Sequence, residues 1–333
     1  MTDKRKVAII GTGGTISSLG RDAFDVQDYI TLGKMNDAAG MIAHFPEVSD
    51  LADLIAVPFP PVPSTHLASP EWLQIVRQID GLAGEHPDLA GVVILHGTAT
   101  MEETAYALNL TVKADLPVVI TGAQRPATGL STDGAANMAA AVKTALCPEA
   151  RGLGVLLVVN EEIQAARDVT KTSTWRLQTF RTPDFGVLGH ADADQVVIYR
   201  KPVRAHMPDT EFDVRGLEVL PRVDISYSYA GADGTAVRAF VAAGAKGVVS
   251  AGLAPGMAPP AEHAALAAAA EAGIAVVQST RAGSGRVVAL TRLRQAGIVP
   301  ADNLNPQKAR ILLSLALTVT EDPLEIERIF ATY

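Results

Sequence analysis

The stretch Val7-Ala8-Ile9-Ile10-Gly11-Thr12-Gly13-Gly14-Thr15-Ile16 decides the fold, because an apolar strand ends there in a glycine turn. Four consecutive apolar residues at 7–10 are typical of a strand that is covered on both faces. Glycines let the chain turn sharply and let a backbone approach a ligand closely. Open α/β sheets bind their ligands at the carboxyl ends of strands, so this turn is the first candidate for a site.

The same pattern of short apolar runs and helical segments continues along the chain. Further buried strands are predicted over Gly91–Leu95, Pro117–Thr121 and Val155–Val159. Between them, apolar residues at three- and four-residue spacing predict helices over Trp72–Gly81, Met101–Ala114 and Ala135–Leu146. This alternation indicates βαβ units and therefore a mainly parallel sheet flanked by helices.

A second α/β unit is predicted after a segment rich in proline and basic residues. Helical and strand patterns alternate again beyond residue 234, and Asn305-Pro306 is typical of a helix start, with Asn as the cap. The fold prediction is thus α/β with two domains. The larger N-terminal domain covers 1–198, a linker covers 199–215, and the smaller C-terminal domain covers 216–333.

Composition excludes several classes of function. The net charge of −8 argues against a nucleic-acid binder, and the longest apolar runs, such as Val155–Val159, fall short of the ~20 residues that span a membrane. The polar start Met1–Lys6 is followed by too few apolar residues before Gly11 for a secretory signal core, so we expect a cytoplasmic protein. The single cysteine, Cys147, cannot form an internal disulfide. No Cys/His cluster has zinc spacing, so we expect no metal.

The glycine turn at Gly11–Ile16 does not fit the known nucleotide loops. The dinucleotide fingerprint needs glycine three residues after its second glycine, where this chain has Ile16. The phosphate loop needs Gly-Lys-Ser/Thr, which is absent. Two interpretations remain: a simple tight turn, or a turn that presents Thr15 as a nucleophile at the end of a strand.

A second polar cluster, 96–104, follows a predicted strand and opens a helix. Its hydroxyls can reach a ligand, and the N–H groups of a helix start favour a carboxylate or an oxyanion. The alternative is that Thr98 or Thr100 only caps the helix. Acidic residues in a first turn suit the helix dipole, so Glu102 and Glu103 are assigned no chemistry.

A third polar cluster, 167–172, contains Lys171. A lysine can act as a base when burial lowers its pKa, or can stabilise negative charge when it stays protonated. The alternative is an ordinary solvated lysine. The three clusters together predict a ligand site built from several strand ends.

Six motifs, in order along the chain, resemble those of the bacterial asparaginase/glutaminase family. They are Ile10–Ser17, His96–Tyr106, Thr121–Pro126, Ser131–Gly134, Arg167–Thr172 and Leu304–Arg310. The resemblance covers essentially the whole chain. It implies an asparaginase-like two-domain α/β fold and an amidohydrolase that needs no metal or organic cofactor. It also implies a homotetramer of close dimers, in which a neighbouring subunit completes each active site.

The resemblance also implies roles for four residues in catalysis. Thr15 matches the primary nucleophile, which attacks the amide carbon. Tyr29 matches a residue on a lid that helps to activate Thr15. Thr98 and Lys171 match the second pair, a hydroxyl and an amine.

Four further residues match positions around the substrate: Ser64, Thr65, Gly97 and Ala99. Ser64 is expected to hold the α-carboxylate of the substrate. The chain departs from the family's pattern at Ala99, where the family has an Asp that orients the Thr–Lys pair and binds the substrate's ammonium group. It also has Thr65 where some members carry Gln.

The C-terminal half departs from the family in the same direction. Residues 254–257 replace a turn that commonly carries Asn, and Arg292 stands near a position where a Glu is expected from across the dimer. Each missing group is one that would contact the substrate's ammonium group or its surroundings. The losses therefore favour an amide whose α-amino group is absent or modified.

The function predicted from the resemblance is hydrolysis of L-asparagine to L-aspartate and ammonia through an acyl-threonine intermediate. Two alternatives stay open. One is a divergent amidase or lactam hydrolase acting on an amide without a free α-amino group, and the other is a catalytically silent ligand-binding relative. The expected partner is a small amide, with no nucleic acid and no membrane.

Overall fold

The computed structural model describes residues 4–333, so the first three residues of the polar start lie outside the described part. The chain divides into two compact units, Met1–Thr210 and Glu211–Tyr333. The division falls inside 199–215, the segment that composition indicates as a linker. Much of that segment is anchored: the N–H of Met207 donates to the carbonyl of Asn109 at 2.8 Å. The segment 199–215 is therefore irregular, as its composition indicates, but part of it is bonded to the first unit.

The first unit alternates strands and helices in the predicted way. Its elements are β1 Lys6–Gly11, α1 Tyr29–Leu32, α2 Ala38–His44, β2 Asp53–Val57, α3 Ser69–Glu85, β3 Leu89–Leu95, α4 Met101–Thr111, β4 Val118–Thr121, α5 Gly134–Leu146, β5 Val155–Val159, β6 Glu162–Ala165, β7 Thr170–Lys171, β8 Phe180–Arg181, β9 Gly189–Ala191 and β10 Val196–Ile198. Short 3-10 helices cover Thr15–Ser17, Pro46–Asp50, Ser64–His66 and Pro148–Ala150.

One large sheet forms the centre of this unit, with strand order β10-β9-β6-β5-β4-β3-β1-β2. The neighbours from β2 to β5 pair in parallel, which confirms the mainly parallel sheet. Strands β6, β9 and β10 add an antiparallel edge. The four strands that the apolar runs predict are almost completely buried, as a strand between two helical layers must be.

The second unit is a smaller parallel sheet with helices, which confirms the two-domain α/β prediction. Its elements are β11 Val223–Tyr227, α6 Thr235–Ala242, β12 Gly247–Gly252, α7 Pro260–Glu271, β13 Ala275–Thr280, α8 Thr291–Gln295, β14 Ile298–Pro300, α9 Pro306–Ala316 and α10 Pro323–Thr332. The strand order is β11-β12-β13-β14, all parallel. Asn305 caps α9 as predicted, because its side chain accepts the N–H of Lys308 at 3.1 Å.

The register of β1 against β3 sets the position of the site. Gly11 lies opposite Leu95, and both strands end there. Thr12 closes the junction, because its N–H and its hydroxyl donate to the carbonyl of Leu95 at 2.9 and 3.0 Å. The segments that follow β1 and β3 therefore leave the sheet side by side. No helix among residues 4–333 is long and apolar enough to cross a membrane.

Candidate active site

Two glycines bring the turn after β1 into contact with the segment after β3. Gly14 has a φ of 81°, in the region that favours glycine. A Cβ at Gly14 would lie 2.1 Å from the Cα of Gly97, and a Cβ at Gly97 would lie 2.8 Å from the hydroxyl oxygen of Ser64. Side chains larger than hydrogen therefore do not fit at either position. The glycine turn thus brings the segment that carries Thr15 against the segment that carries Thr98.

Thr15 makes a hydrogen bond to Tyr29. The Oγ1 of Thr15 lies 2.9 Å from the phenol oxygen of Tyr29, which is only 5% exposed. Burial raises the pKa of Tyr29, the hydrogen bond to Thr15 opposes that rise, and the charge of Asp133 adds to it. Tyr29 is therefore a neutral phenol at neutral pH. In this state it can orient the hydroxyl of Thr15 and relay its proton, but it is not a standing phenolate base.

The segment that carries Tyr29 is closed over Thr15. Its base is fixed by the bridge between Ser18 and Met35 and by the N–H of Leu19, which donates to the carbonyl of Lys34 at 2.9 Å. Within the segment, Arg21 pairs with Asp25 at 3.1 Å. We call residues 19–34 the Tyr29 loop. These contacts hold the phenol of Tyr29 against Thr15.

Thr98 pairs with Lys171. The Nζ of Lys171 donates to the Oγ1 of Thr98 at 2.7 Å, a short distance for such a bond. Lys171 ends β7, which pairs with β8, and its Nζ lies 6.0 Å from the ring centre of Phe180. Burial lowers the pKa of Lys171, and the charge of Glu102 opposes this. A lowered pKa increases the fraction of neutral amine, which is the form that can accept a proton from a hydroxyl.

Glu102 is the residue whose role sequence analysis missed. Its carboxylate accepts the backbone N–H of Lys171 at 3.2 Å, and its side chain is buried, at 6% exposure. Glu102 thus lies in the first turn of α4, as expected, and also contacts the segment of Lys171, which the sequence did not indicate. Its position in the first turn of α4 was visible in the sequence, but the two-residue strand that brings Lys171 to it was not.

Neither threonine caps α4, so that alternative is wrong. The hydroxyl of Thr98 is occupied by Lys171, and Thr100, at the N-cap position, makes no side-chain capping bond. Instead the hydroxyl of Thr100 donates to the carbonyl of Ser64 at 2.8 Å. This bond fixes the short helix that starts at Ser64 against the start of α4, next to Gly97.

The predicted substrate-binding residues differ in exposure. Ser64 and Gly97 are buried in the contact with Gly14, whereas Thr65 and Ala99 are exposed. The methyl group of Ala99 follows Thr98 directly, so the site presents no carboxylate at this position. His96 lies behind the turn and is fully buried; its Nδ1 donates to the carbonyl of Gly97 at 2.7 Å. Burial lowers the pKa of His96 to about 4, so the ring is neutral at neutral pH.

The loop after β4 forms the next wall of the site. A Cβ at Gly122 would lie 3.1 Å from the Cγ2 of Thr98. The carboxylate of Asp133 accepts the N–H groups of Gln124 and Arg125, with shortest distances of 2.9 and 3.0 Å, which holds the loop rigid. Among residues 4–333, no group of three or more His, Cys, Asp or Glu side chains is placed to bind a metal ion.

The arrangement defines a class of protein. Two hydroxyls, one bonded to a phenol and one to an amine of lowered pKa, lie at the carboxyl ends of parallel strands. Such pairs are suited to acyl transfer, in which a hydroxyl attacks a carbonyl carbon and loses its proton to a neighbour. The first unit is therefore an α/β domain with a candidate acyl-transfer site.

Comparison with known proteins defines the family. The model named Asparaginase, N-terminal, matches residues 6–204, and the model named Glutaminase/Asparaginase C-terminal domain matches residues 222–330. The chain belongs to the asparaginase family, whose members hydrolyse amide carbon–nitrogen bonds.

Individual relatives agree with this assignment over the full length. The chain is 40% identical to L-asparaginase 2 of Bacillus subtilis (strain 168), covering 99% of this chain and 87% of the relative. It is 37% identical to the glutaminase-asparaginase of Pseudomonas fluorescens biotype A, covering 100% and 91%. The crystal structure of a probable cytoplasmic L-asparaginase from Campylobacter jejuni superposes with a TM-score of 0.94 at 39% identity, covering 99% and 100%.

Proposed function

We propose that this protein hydrolyses L-asparagine to L-aspartate and ammonia, with Thr15 as the nucleophile. The observation that carries the proposal is the presence of two separate hydroxyl pairs, Thr15 with Tyr29 at 2.9 Å and Thr98 with Lys171 at 2.7 Å. Amide hydrolysis through a covalent intermediate has two proton-transfer stages, acylation and deacylation, and two pairs supply one for each.

In the proposed acylation step, the Oγ1 of Thr15 attacks the side-chain amide carbon and its proton passes to the phenol oxygen of Tyr29. Tyr29 in turn releases its own proton toward the leaving nitrogen, so ammonia departs and the phenol is restored. Backbone N–H groups at the strand ends are suited to the oxyanion of the tetrahedral intermediate. Losing one such donor typically costs ~10²–10³ in rate.

In the proposed deacylation step, water attacks the acyl-threonine. The neutral amine of Lys171, acting with the hydroxyl of Thr98, accepts a proton from that water. The ester bond to Thr15 then breaks, the acid is released and the Thr15 hydroxyl takes back a proton. The lowered pKa of Lys171 supports this role, because burial increases the neutral fraction of the amine.

A second candidate substrate is an amide without a free α-amino group. The observation that favours it is Ala99, an exposed methyl beside Thr98. The carboxylates of Glu102 and Asp133 already accept backbone N–H groups. A hydrogen bond to a charged group is commonly worth ~1.5–3 kcal/mol, so a substrate ammonium loses appreciable binding energy when no carboxylate meets it.

The test is ammonia release from L-asparagine, L-glutamine and succinamate, with Thr15→Ala as the blank. Turnover of L-asparagine at micromolar to low-millimolar concentration supports the asparaginase proposal. Turnover of succinamate without L-asparagine supports the second candidate instead. A folded protein that is silent on all three contradicts the asparaginase proposal and favours a different amide or a ligand-binding relative, for which Thr15→Ala would leave ligand affinity unchanged.

Assembly and compartment are part of the proposal. We infer a homotetramer of close dimers, as the family resemblance implies, and light scattering on a sizing column tests it. We also infer a cytoplasmic location, which is supported by the name of the Campylobacter jejuni relative. Fractionation of the source cells tests the location, and recovery outside the cytoplasm would contradict it.

A further inference from the structure

A cavity of about 570 Å³ lies in the first unit and is distinct from the two hydroxyl pairs. Its lining comes from three segments: the Tyr29 loop at Val26, the loop after β4 at Gln124 and Arg125, and the turn between β7 and β8 at 173–177. None of the residues that line it is one of the proposed catalytic residues. Its volume suits a small organic molecule.

Each of the three lining segments is connected along the chain to the candidate active site. Val26 stands three residues before Tyr29 in the same loop, and the lining residue Ser173 stands two residues after Lys171. Gln124 stands two residues after Gly122, whose Cβ position lies 3.1 Å from Thr98. The three segments that line the cavity therefore also carry or flank residues of the two hydroxyl pairs.

The charged groups of the lining are two guanidinium groups, which are hydrogen-bond donors only. Arg125 and Arg176 supply guanidinium groups, and none of the lining residues is acidic. Arg125 donates to the carbonyl of Ser131, which uses one part of its five-donor fork. The side-chain nitrogen of Gln124 is buried and has no acceptor. The net charge of the chain is −8, so the positive charge of this cavity is opposite in sign to that of the protein as a whole.

Trp175 completes the cavity with an aromatic face. Its side chain is 59% exposed, which is unusual for so large an apolar ring. The hydroxyl of Ser173 accepts the N–H groups of Trp175 and Arg176 at 3.4 and 3.3 Å, so the turn presents the ring and the guanidinium together. The guanidinium is suited to a planar carboxylate, which it can bind in a bidentate way.

We propose that this cavity binds a carboxylate group, separate from the one expected at Ser64. Two sources share this chemistry: an anionic extension on the amide substrate, such as an acidic acyl group on its α-nitrogen, or a free carboxylate that acts as an effector. The binding step does not depend on the proposed function. Only the substrate source rests on it, because that source requires amide hydrolysis at Thr15.

The binding test uses citrate as the probe and tryptophan fluorescence as the readout. The chain has two tryptophans, and Trp72 is buried at 4% exposure, so Trp175 reports on the cavity. We expect a saturable change with citrate and none with sodium chloride at equal ionic strength. Arg176→Gln should weaken citrate about tenfold or more, since one charged contact is lost.

Matched variants separate the cavity from general charge effects. Arg151→Gln removes the same charge just before the amino end of β5, whereas the site lies at the carboxyl ends of the parallel strands, and it should leave citrate affinity unchanged. Thr15→Ala should abolish turnover and keep citrate affinity, so the failure of one proposal is visible apart from the other. An absent or non-saturable response, or equal citrate affinity in Arg176→Gln and the unmodified protein, overturns the carboxylate site.

The source is decided by kinetics with L-asparagine and N-succinyl-L-asparagine. A KM for the succinyl amide that rises about tenfold or more in Arg176→Gln, with little change for L-asparagine, identifies the substrate's own carboxylate. A citrate effect on kcat that Arg176→Gln removes for both amides identifies a separate effector. Either result supports the site, and neither is expected if Arg125 and Arg176 are simply solvated.

Discussion

The pair formed by Thr98 and Lys171 gives the sharpest test of the proposed chemistry. We consider Thr98→Val, which replaces the hydroxyl by a methyl of nearly the same shape, and Lys171→Met, which removes the amine and keeps much of the apolar stem. In the structure the two groups share one hydrogen bond of 2.7 Å, and the amine is partly buried with a lowered pKa. The two side chains should therefore act as a unit.

The expected magnitude follows from this geometry. A positioned acid–base group contributes ~10²–10⁴ in rate, or about 2.7–5.4 kcal/mol of barrier, so each single variant should lose that much in kcat. Because either change removes the same proton transfer, the double variant should be no slower than the worse single variant. The coupling energy is then about 3–5 kcal/mol, far above the ~0.5 kcal/mol that independent sites show.

The assay is steady-state ammonia release with the preferred amide, with thermal unfolding measured in parallel. Thr111→Val is the matched control for a buried threonine, because its hydroxyl bonds within α4 to the carbonyl of Ala107 at 2.7 Å. Lys143→Met on α5 is the control for a lost ammonium group. Rate losses that multiply in the double variant would refute the idea that Thr98 and Lys171 share one step.

Three further predictions concern charge around the site. Glu102→Gln removes the negative charge that opposes the effect of burial on the pKa of Lys171, so that pKa should fall further. The acid limb of the kcat/KM profile should then move to lower pH. A limb that stays in place while the rate falls would mean that Glu102 has only a structural role. Ala99→Asp places a carboxylate on an exposed position, where it can bind the ammonium group of L-asparagine. The ratio of kcat/KM for L-asparagine to kcat/KM for succinamate should therefore rise about tenfold or more. An unchanged ratio would mean that position 99 does not contact the ammonium group. Burial lowers the pKa of His96 to about 4, against an ordinary value of 6.5, so the unfolded chain takes up a proton at higher pH than the folded chain does. The contribution of His96 to the free energy of unfolding should therefore be complete above pH 6.5 and fall by about 3 kcal/mol as the pH drops to 4. Urea unfolding at both pH values checks this, and in His96→Gln that part of the pH dependence should disappear.

The buried core of the fold was predictable from the sequence because it depends on local patterns. Strands β1, β3, β4 and β5 are apolar runs because both of their faces are covered, and the helices between them repeat apolar residues with the helical period. The antiparallel edge was not predictable in this way. Strands β9 and β10 have three residues each, too short for a periodic signal, and they form only because β6 offers an open edge.

The candidate site was predictable where a motif lies directly at a strand end. Thr15 and Thr98 follow β1 and β3, and the register of those strands brings them together whatever the rest of the chain does. Lys171 is different, because it reaches Thr98 from a two-residue strand 73 residues away. The link from Lys171 to Glu102 is likewise tertiary. The polar cluster 167–172 predicted that Lys171 lies near a ligand site, but only the family resemblance paired Lys171 with Thr98, and nothing in the sequence pointed to Glu102 as its neighbour.

Two separate features of the first unit, the residue at position 99 and the charges that line the cavity, both favour a negatively charged substrate. At Ala99 the site presents a methyl beside the catalytic pair, so a substrate ammonium finds no carboxylate there. In the cavity the charged groups are Arg125 and Arg176, which favour an anion. An amide that carries negative charge and no free ammonium satisfies both features, whereas the zwitterion of L-asparagine satisfies only the contact expected at Ser64. If Ala99→Asp and Arg176→Gln each shift selectivity toward L-asparagine, and the double variant shifts it by the product, then the two features are separate determinants of the same preference. A double variant that does no more than either single variant would instead mean that one bound group senses both positions.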